Sequence, residues 1–308
     1  MLLLLALAGL PAASAPTDPA SPGALDAPEG DAVDAPSFDE GGIPPELIEL
    51  ARSVRDRPLG ERMAAISEPM MGAPYLGDAI GEGVPPDLDP PARYDAWDCL
   101  TFVEEVLALA LPPDPVSAPS VRRSLRYGEG APVSYEDRHH FMLQQWVPQA
   151  IANGWLEDIT AQVGEAHLLR KTVTPRTWAR WRKRSLFTLP DALLPTGDYA
   201  MPVLSPGAAR EAVDRIPDGA LLLTVRQSRD HVPIVVTHLG FKVPSTPEVP
   251  LMRHATRMGR EPRVRNERLN WYLEHIQWYH HWPVEGISVL MPREYGPRRS
   301  RLQPPEPG

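Results

Sequence analysis

The chain has 308 residues, of which 43% are hydrophobic, and its formal net charge is -9. This length and composition fit a globular protein with one sizeable core. The acidic balance disfavours nucleic-acid binding, which normally needs a basic excess.

The first 15 residues resemble a secretory signal peptide. An apolar run from Met1 to Leu10 precedes the small residues Ala13, Ser14 and Ala15, a pattern typical of a cleaved export signal. The run is too short to span a bilayer as a helix of the mature protein, and the alternative is an apolar helix that stays attached. We therefore expect an exported protein, periplasmic or secreted, with no integral membrane segment after cleavage.

Two segments with little capacity to fold flank a single predicted domain. Residues 16–42 are rich in Pro, Ala, Asp, Ser and Gly, a composition that cannot bury enough apolar surface to fold and indicates a disordered linker. Residues 297–308 have the composition of a disordered tail. The domain is predicted to cover residues 43–296.

Helices dominate the predicted first half of the domain. Residues 44–57 and 98–111 carry apolar side chains at helical spacing, and the second of these helices is apolar on most sides, which indicates burial. Pro112 and Pro113 end it. Residues 135–153 form a further predicted helical region.

Strands dominate the second half. Residues 221–225 form a short apolar run and residues 234–243 are apolar and rich in β-branched side chains, which predicts strands. Residues 251–256 and 287–291 are further candidate strands. Hairpin-length connections indicate an antiparallel sheet. Helices followed by strands predict an α+β domain in which the buried helix packs on the sheet.

A basic, tryptophan-containing segment lies between these halves. Residues 176–184 carry five basic side chains with Trp178 and Trp181 among them. Such a segment can contact an anionic polymer or a membrane surface, the alternative being a solvated face whose tryptophans pack inward.

Cys99 is the only cysteine, so it cannot form an intramolecular disulfide. It lies in the first turn of the buried helix, where Asp98 can cap the start. Exposed N–H groups and the positive end of the helix dipole favour a thiolate there, so we expect a lowered pKa and a candidate nucleophile. The alternative is an inert core cysteine.

Two histidines could serve this nucleophile. His238 lies on the strand predicted at 234–243 and shares a face with Val236 and Gly240, and the bare Gly240 leaves room beside the imidazole. His254 lies on the next predicted strand, and a hairpin would place it near His238, where it could fix the tautomer of a general base. Both residues have the alternative of a purely structural role.

Several motifs follow one another in an order that characterises one family. They are Pro74-Tyr75, Trp97-Asp98-Cys99-Leu100-Thr101-Phe102-Val103-Glu104, Arg138-His139-His140-Phe141, His238-Leu239-Gly240-Phe241, His254-Ala255-Thr256 and Tyr272-Leu273. Over roughly residues 43–292 this series resembles the N-acetylmuramoyl-L-alanine amidase-like family of the NlpC-type, papain-like peptidoglycan hydrolases. The Asp-Cys-x-Thr-Phe-Val-Glu string is its most specific part.

The resemblance implies a papain-like fold and a cysteine mechanism. Cys99 would attack an amide carbonyl of the cell wall, His238 would transfer the proton, and His254 would orient His238. Tyr75 matches the tyrosine of NlpC-type enzymes whose hydroxyl faces the nucleophile, where it would hold the oxyanion or the substrate.

Further implications concern the substrate and cofactors. Arg138 and His140 would line the substrate cleft, the alternative being a polar helix start. The resemblance implies peptidoglycan or muropeptides as partner, and neither a metal nor another cofactor.

The expected reaction is hydrolysis of the amide between N-acetylmuramic acid and L-alanine. A stem-peptide endopeptidase is the alternative within the same class. A non-catalytic wall-binding module and a cysteine acyltransferase are the alternatives from other classes.

Overall fold

A computed structural model describes residues 42–294 of the chain. The predicted signal peptide (1–15), residues 16–41 of the predicted linker and the predicted tail (297–308) lie outside the described residues. Within the described part, no helix combines the length and the apolar character that crossing a bilayer requires.

Helices occupy most of the first half and recur between the strands. The α-helices of the described residues are α1 (Pro45–Ser53), α2 (Leu59–Ser67), α3 (Cys99–Ala110), α4 (Ala118–Tyr127), α5 (Val147–Ala152), α6 (Thr160–Val163), α7 (Pro175–Arg180), α8 (Pro206–Glu211) and α9 (Leu269–His275). One turn of π-helix (Met142–Trp146) leads into α5.

Eight strands form one antiparallel sheet in the described part of the chain. They are β1 (Leu156–Asp158), β2 (Ala166–Val173), β3 (Gly197–Leu204), β4 (Leu221–Arg226), β5 (Val236–Val243), β6 (Leu251–Thr256), β7 (Arg263–Arg268) and β8 (Val284–Pro292). The order across the sheet is β2-β3-β8-β4-β5-β6-β7, and β1 pairs with β8. The predicted α+β class with an antiparallel sheet is therefore confirmed.

Successive side chains of the strands point to opposite faces of the sheet, and each face packs against a hydrophobic core. Leu221 and Leu223 of β4 pack with residues of α1 to α5 on one face. Leu222 between them packs on the other face with residues of α6, α8 and α9. Helices thus cover both faces.

Helix α3 packs on the first of these faces, as its apolar pattern predicts. The Phe102 ring of α3 stacks on Phe241 of β5, with ring centroids 5.9 Å apart. An aromatic pair of this kind stabilises the packing of the helix on the strand by more than the apolar area that it buries. Consequently the first turn of α3 meets the sheet at β5.

The prediction of a helix over residues 135–153 was wrong for its first seven residues. Asp137 donates its backbone N–H to the Ser134 carbonyl, and His139 donates its own to the Arg126 carbonyl of α4. These bonds satisfy the backbone in a turn, so helical structure begins only at Met142.

Candidate active site

A capping box fixes the start of helix α3. The Asp98 carboxylate accepts hydrogen bonds from the backbone N–H groups of Leu100 (2.9 Å) and Thr101 (2.8 Å). The Thr101 hydroxyl in turn accepts one from the Asp98 N–H at 3.0 Å. Reciprocal capping of this kind sets the entry angle of the chain. It therefore fixes Cys99 as the first residue of α3.

A gap in strand pairing receives the Cys99 thiol. The register between β5 and β6 covers only Phe241 to Val243, so β5 is not paired with β6 at Leu239. The backbone N–H groups of Leu239, Cys99 and Leu100 interact with the Cys99 sulfur and lower its pKa. The thiol thus sits among backbone donors, next to the strand that carries His238.

The pKa of Cys99 differs from the sequence expectation. Burial raises the pKa of the thiol to about 12, with the adjacent Asp98 carboxylate adding to the increase. Three backbone N–H groups lower it by less. Desolvation and a neighbouring anion both disfavour a thiolate, so they outweigh the helix terminus and the resting group is a neutral thiol.

The two predicted histidines are in direct contact. Nε2 of His238 lies 2.8 Å from Nδ1 of His254, as the hairpin of β5 and β6 predicts. Burial, and to a smaller extent the positive charge of Arg226, lower the pKa of His238 to about 4. His254 is fully buried. Its pKa is also lowered, first by burial and then by His238 and Arg265. Both imidazoles are therefore neutral at pH 7.

Tyr272 of α9 packs against both imidazoles, a contact that the sequence did not predict. Its ring centroid lies 6.2 Å from that of His238 and 5.7 Å from that of His254. Its hydroxyl is hydrogen-bonded to the Thr224 hydroxyl at 2.5 Å. The only signal was the Tyr272-Leu273 motif, since the surrounding aromatic-rich segment indicates core packing.

Tyr75 approaches the start of α3 through a short backbone bridge. The Leu76 N–H donates to the Trp97 carbonyl at 3.0 Å, and the Trp97 N–H donates to the Pro74 carbonyl at 3.2 Å. Burial raises the pKa of the Tyr75 phenol, electrostatic interactions with Cys99 and Asp98 raise it further, and Arg257 lowers it. The hydroxyl is thus a neutral hydrogen-bond donor within electrostatic range of Cys99.

Arg138 is held by acidic partners. Its guanidinium contacts Asp87 at 2.6 Å and Glu82 at 3.5 Å, and it donates to the Ile80 carbonyl at 2.9 Å. These bonds anchor the loop between Tyr75 and Asp98. The structure supplies a structural role for Arg138, and its substrate-binding role stays a prediction.

His140 packs in an aromatic cluster. Its Nε2 is hydrogen-bonded to the Tyr135 carbonyl at 2.6 Å, and its ring lies against Tyr135 and Phe187. Burial lowers its pKa to about 4. Its assignment to the substrate cleft also stays a prediction.

In the part of the chain that the structure describes, no group of three or more His, Cys, Asp or Glu side chains is arranged to hold a metal ion. The site consists of a thiol, two imidazoles, two phenols and backbone donors.

Residues 65–278 match the AmiA-like family, described as N-acetylmuramoyl-L-alanine amidase-like. The chain belongs to this family. The matched range contains Tyr75, Cys99, His238 and His254, so the described site lies within it. Membership supports a hydrolase that acts on peptidoglycan.

Solved structures share the fold. A Legionella pneumophila protein of the family DUF1460 is 21% identical, with a TM-score of 0.68 over 80% of this chain and 93% of its own. An N-acetylmuramoyl-L-alanine amidase from Bacteroides uniformis is 19% identical in one crystal structure, with a TM-score of 0.61 over 77% of this chain and 99% of its own. No functionally curated protein matches the chain.

Proposed function

We propose that this protein is a cysteine hydrolase that cleaves the amide between N-acetylmuramic acid and L-alanine in peptidoglycan or muropeptides, outside the cytoplasm. The observation that carries the proposal is the placement of the Cys99 thiol among backbone N–H donors beside β5, whose His238 contacts His254 at 2.8 Å. Membership of the N-acetylmuramoyl-L-alanine amidase-like family supports this choice of bond. The apolar run at residues 1–10 supports export.

This arrangement is typical of papain-like enzymes. A cysteine begins a helix that packs on the sheet, a histidine lies on the facing strand, and a third polar residue on the next strand contacts that histidine. We therefore assign Cys99, His238 and His254 to the roles of nucleophile, general base and orienting residue.

In the first half-reaction, the Cys99 sulfur attacks the carbonyl carbon of the lactyl group. Because the resting thiol and imidazole are both neutral, the thiol proton passes to His238 as the S–C bond forms. Nε2 of His238 faces His254, so Nδ1 is the nitrogen that receives the proton. The Cys99 backbone N–H and the Tyr75 hydroxyl stabilise the oxyanion.

Collapse of the tetrahedral intermediate breaks the C–N bond. His238 returns its proton to the departing nitrogen of L-alanine, which leaves as a free amine, and the muramoyl group remains as a thioester on Cys99. In the second half-reaction water attacks the thioester, and His238 takes the proton of the water. It then protonates the departing sulfur, so that the carboxylic acid is released and the thiol restored.

Alternative functions predict different products. A stem-peptide endopeptidase would use the same residues on a bond between amino acids. An acyltransferase would pass the acyl group to an acceptor other than water. A wall-binding module would bind without cleavage.

The test is digestion of purified peptidoglycan and muropeptides by wild type and Cys99→Ala, with products identified by mass spectrometry. The proposal predicts that only wild type releases stem peptides that begin with L-alanine. Cleavage within the stem would replace it by the endopeptidase, and an acylated product by the transferase. Binding without cleavage by either protein would leave the wall-binding module.

A further inference from the structure

A β-bulge lies directly before His238 on β5. In the register between β4 and β5, His238 lies opposite Thr224. The next residue of β4, Val225, lies opposite Val236, so that Thr237 is an extra residue without a partner on β4. Bulges bend the strand that carries them and often lie beside active sites, where they re-aim a side chain. The bulge at Thr237 therefore sets the direction of His238.

The bulge reverses the alternation of side chains along β5. In a regular strand Val236 and His238 point to the same face of the sheet, as the sequence predicts. In the structure, Val236 packs in the same core as Leu239. The His238 ring lies against Tyr272, which belongs to the core on the other face. The predicted shared face of His238 and Val236 was thus wrong, because Thr237 is an extra residue in the strand.

Arg226 at the end of β4 holds the bulge from the neighbouring strand. Its Nε donates to the Thr237 hydroxyl at 3.2 Å, and its backbone N–H donates to the Val235 carbonyl at 2.8 Å. Within the described part of the chain, the bond from Nε of Arg226 is the one side-chain hydrogen bond that Thr237 makes. Since the bulge residue has no partner of its own on β4, Arg226 fixes its position.

The guanidinium of Arg226 is itself held in place. Its Nη1 donates to the Trp282 carbonyl at 2.5 Å. Its central carbon lies 4.4 Å from the centroid of the Tyr279 ring, which is a cation–π contact. The side chain is half-buried. None of the carboxylates that the structure describes lies within ion-pair distance of it, so its charge is not neutralised beside His238.

We propose that Arg226 is a positioning residue for His238: by holding Thr237 in the bulge, it keeps the His238 ring in its hydrogen bond with His254. This inference rests on the proposed function, in which His238 transfers the protons of the reaction. Arg226 acts through Thr237 and needs no contact with the substrate. An imidazole that is held in one orientation reacts without first reorganising, so the bulge contributes to the rate of the chemical step rather than to substrate binding.

The titratable and charged groups around His238 come from four elements. They are Cys99 at the start of α3, Arg226 of β4, His254 of β6 and Tyr272 of α9. Burial keeps the thiol, the imidazole and the phenol neutral at neutral pH, so Arg226 supplies the positive charge. Its removal should therefore raise the pKa of His238, whereas loss of the Thr237 hydroxyl leaves the charge in place.

The experiment measures kcat and KM on an N-acetylmuramoyl-L-alanyl peptide as a function of pH. Thr237→Val removes the hydroxyl acceptor and keeps the branched shape, and Thr237→Ser restores the hydroxyl. Arg226→Met removes the donor and the charge together. Arg229→Met is the matched control. Arg229 lies over the Trp282 ring and donates to the His281 carbonyl, but among the described residues its side chain makes no hydrogen bond to β5.

The variants should differ in kcat and in pH dependence. We expect kcat to fall about tenfold in Thr237→Val and in Arg226→Met at unchanged KM. In Thr237→Ser and Arg229→Met it should stay near the wild-type value. The acid limb of the kcat/KM profile reports the pKa of the base in the free enzyme, and it should move to higher pH in Arg226→Met alone.

A wild-type kcat in Thr237→Val would overturn the proposal, as would equal losses in Arg226→Met and Arg229→Met. If wild type itself does not cleave the peptide, the proposed function fails separately, and NMR of the histidine side chains then decides the positioning role. Displaced His238 ring resonances in Thr237→Val, with wild-type resonances in Arg229→Met, would support it. Unchanged His238 resonances in Thr237→Val would refute it. The same spectra decide if Arg226→Met does not fold.

Discussion

Gly240 of β5 lies directly against His254 of β6, so that a methyl group added at Gly240 would stand 2.7 Å from the His254 Cβ and 2.6 Å from the Arg253 carbonyl oxygen. The sequence predicts that the bare glycine leaves room beside His238. The structure shows that β6 fills this room, which brings the His254 ring within hydrogen-bond distance of His238.

Replacing this glycine should therefore disturb the site. We expect Gly240→Ala to lower the free energy of unfolding by about 1–3 kcal/mol, because backbone and side chain of β6 must move apart. Activity should fall further than the loss of folded protein explains. Gly207→Ala is the control, since the nearest atom there is 3.9 Å away. Urea unfolding and muropeptide turnover measure both effects, and a Gly240→Ala protein that matches the control would contradict this packing.

Asp98 has two separable effects, capping α3 and raising the pKa of Cys99. Asp98→Asn keeps an acceptor oxygen but removes the charge, so we expect near wild-type stability and a lower thiol pKa. Asp98→Ala loses the cap as well and should unfold about 1 kcal/mol more easily.

The readout for the thiol is alkylation of Cys99 by iodoacetamide as a function of pH, which is unambiguous because the chain has one cysteine. In wild type the rate should still be rising above pH 9, and in Asp98→Asn the whole profile should move to lower pH. A wild-type profile that levels off near neutral pH would instead indicate a stable thiolate.

The buried histidines should make stability depend on pH. The pKa of His238 is about 4 in the folded chain against an ordinary value of 6.5, so between these values the unfolded chain binds more protons. The free energy of unfolding therefore falls as the pH drops from 6.5 towards 4. Urea unfolding at several pH values should show a shallower fall for His238→Gln than for wild type. If the free energy of unfolding falls equally in both proteins, the folded chain does not favour the neutral form of His238.

A buried ion pair supports helix α3, which carries Cys99. Glu104 of α3 is 2% exposed, contacts Arg126 at 2.7 Å and accepts a hydrogen bond from Trp146 at 2.8 Å. Glu104→Ala leaves a buried guanidinium without its partner, so we expect a loss of about 3–5 kcal/mol. Glu261→Ala, which breaks the exposed pair with Arg263, should lose about 1 kcal/mol or less. Urea unfolding measures both losses. Equal losses for Glu104→Ala and Glu261→Ala would contradict a larger contribution of the buried ion pair.

The sequence predicts those elements whose local pattern agrees with their environment. Helix α3 carries a continuous apolar pattern, and β6 matches the predicted residues 251–256. Strand β7 was missed because Val264 is its single apolar residue, and it lies at the edge of the sheet. Its charges are satisfied by pairs such as Arg265 with Glu267.

Other elements could not be predicted from the sequence because they bury charged side chains. Strand β2 was missed because Lys171, a typical surface residue, is buried there and donates its ammonium to the Arg229 carbonyl at 2.6 Å. Likewise α4 turns Arg122 inward to Glu105. Such partners lie far away along the chain, so no local pattern reveals them.

The same distinction holds for the site. Cys99 stands out by its residue type at the start of an apolar helix, and His238 and His254 by their residue type on neighbouring predicted strands. The contacts of the Leu239 N–H and of Tyr272 with the site depend on where α3, β5, β6 and α9 meet, which is a property of the packed molecule.

The central claim is that Cys99 carries the muramoyl group during turnover. The most direct measurement is acid quenching of wild type during cleavage of an N-acetylmuramoyl-L-alanyl peptide, followed by mass analysis of the fragment that contains Cys99. We predict a muramoyl thioester on this fragment, removable by hydroxylamine, and no turnover by Cys99→Ala. Turnover with an unmodified Cys99 fragment, together with wild-type rates for Cys99→Ala, would contradict the account.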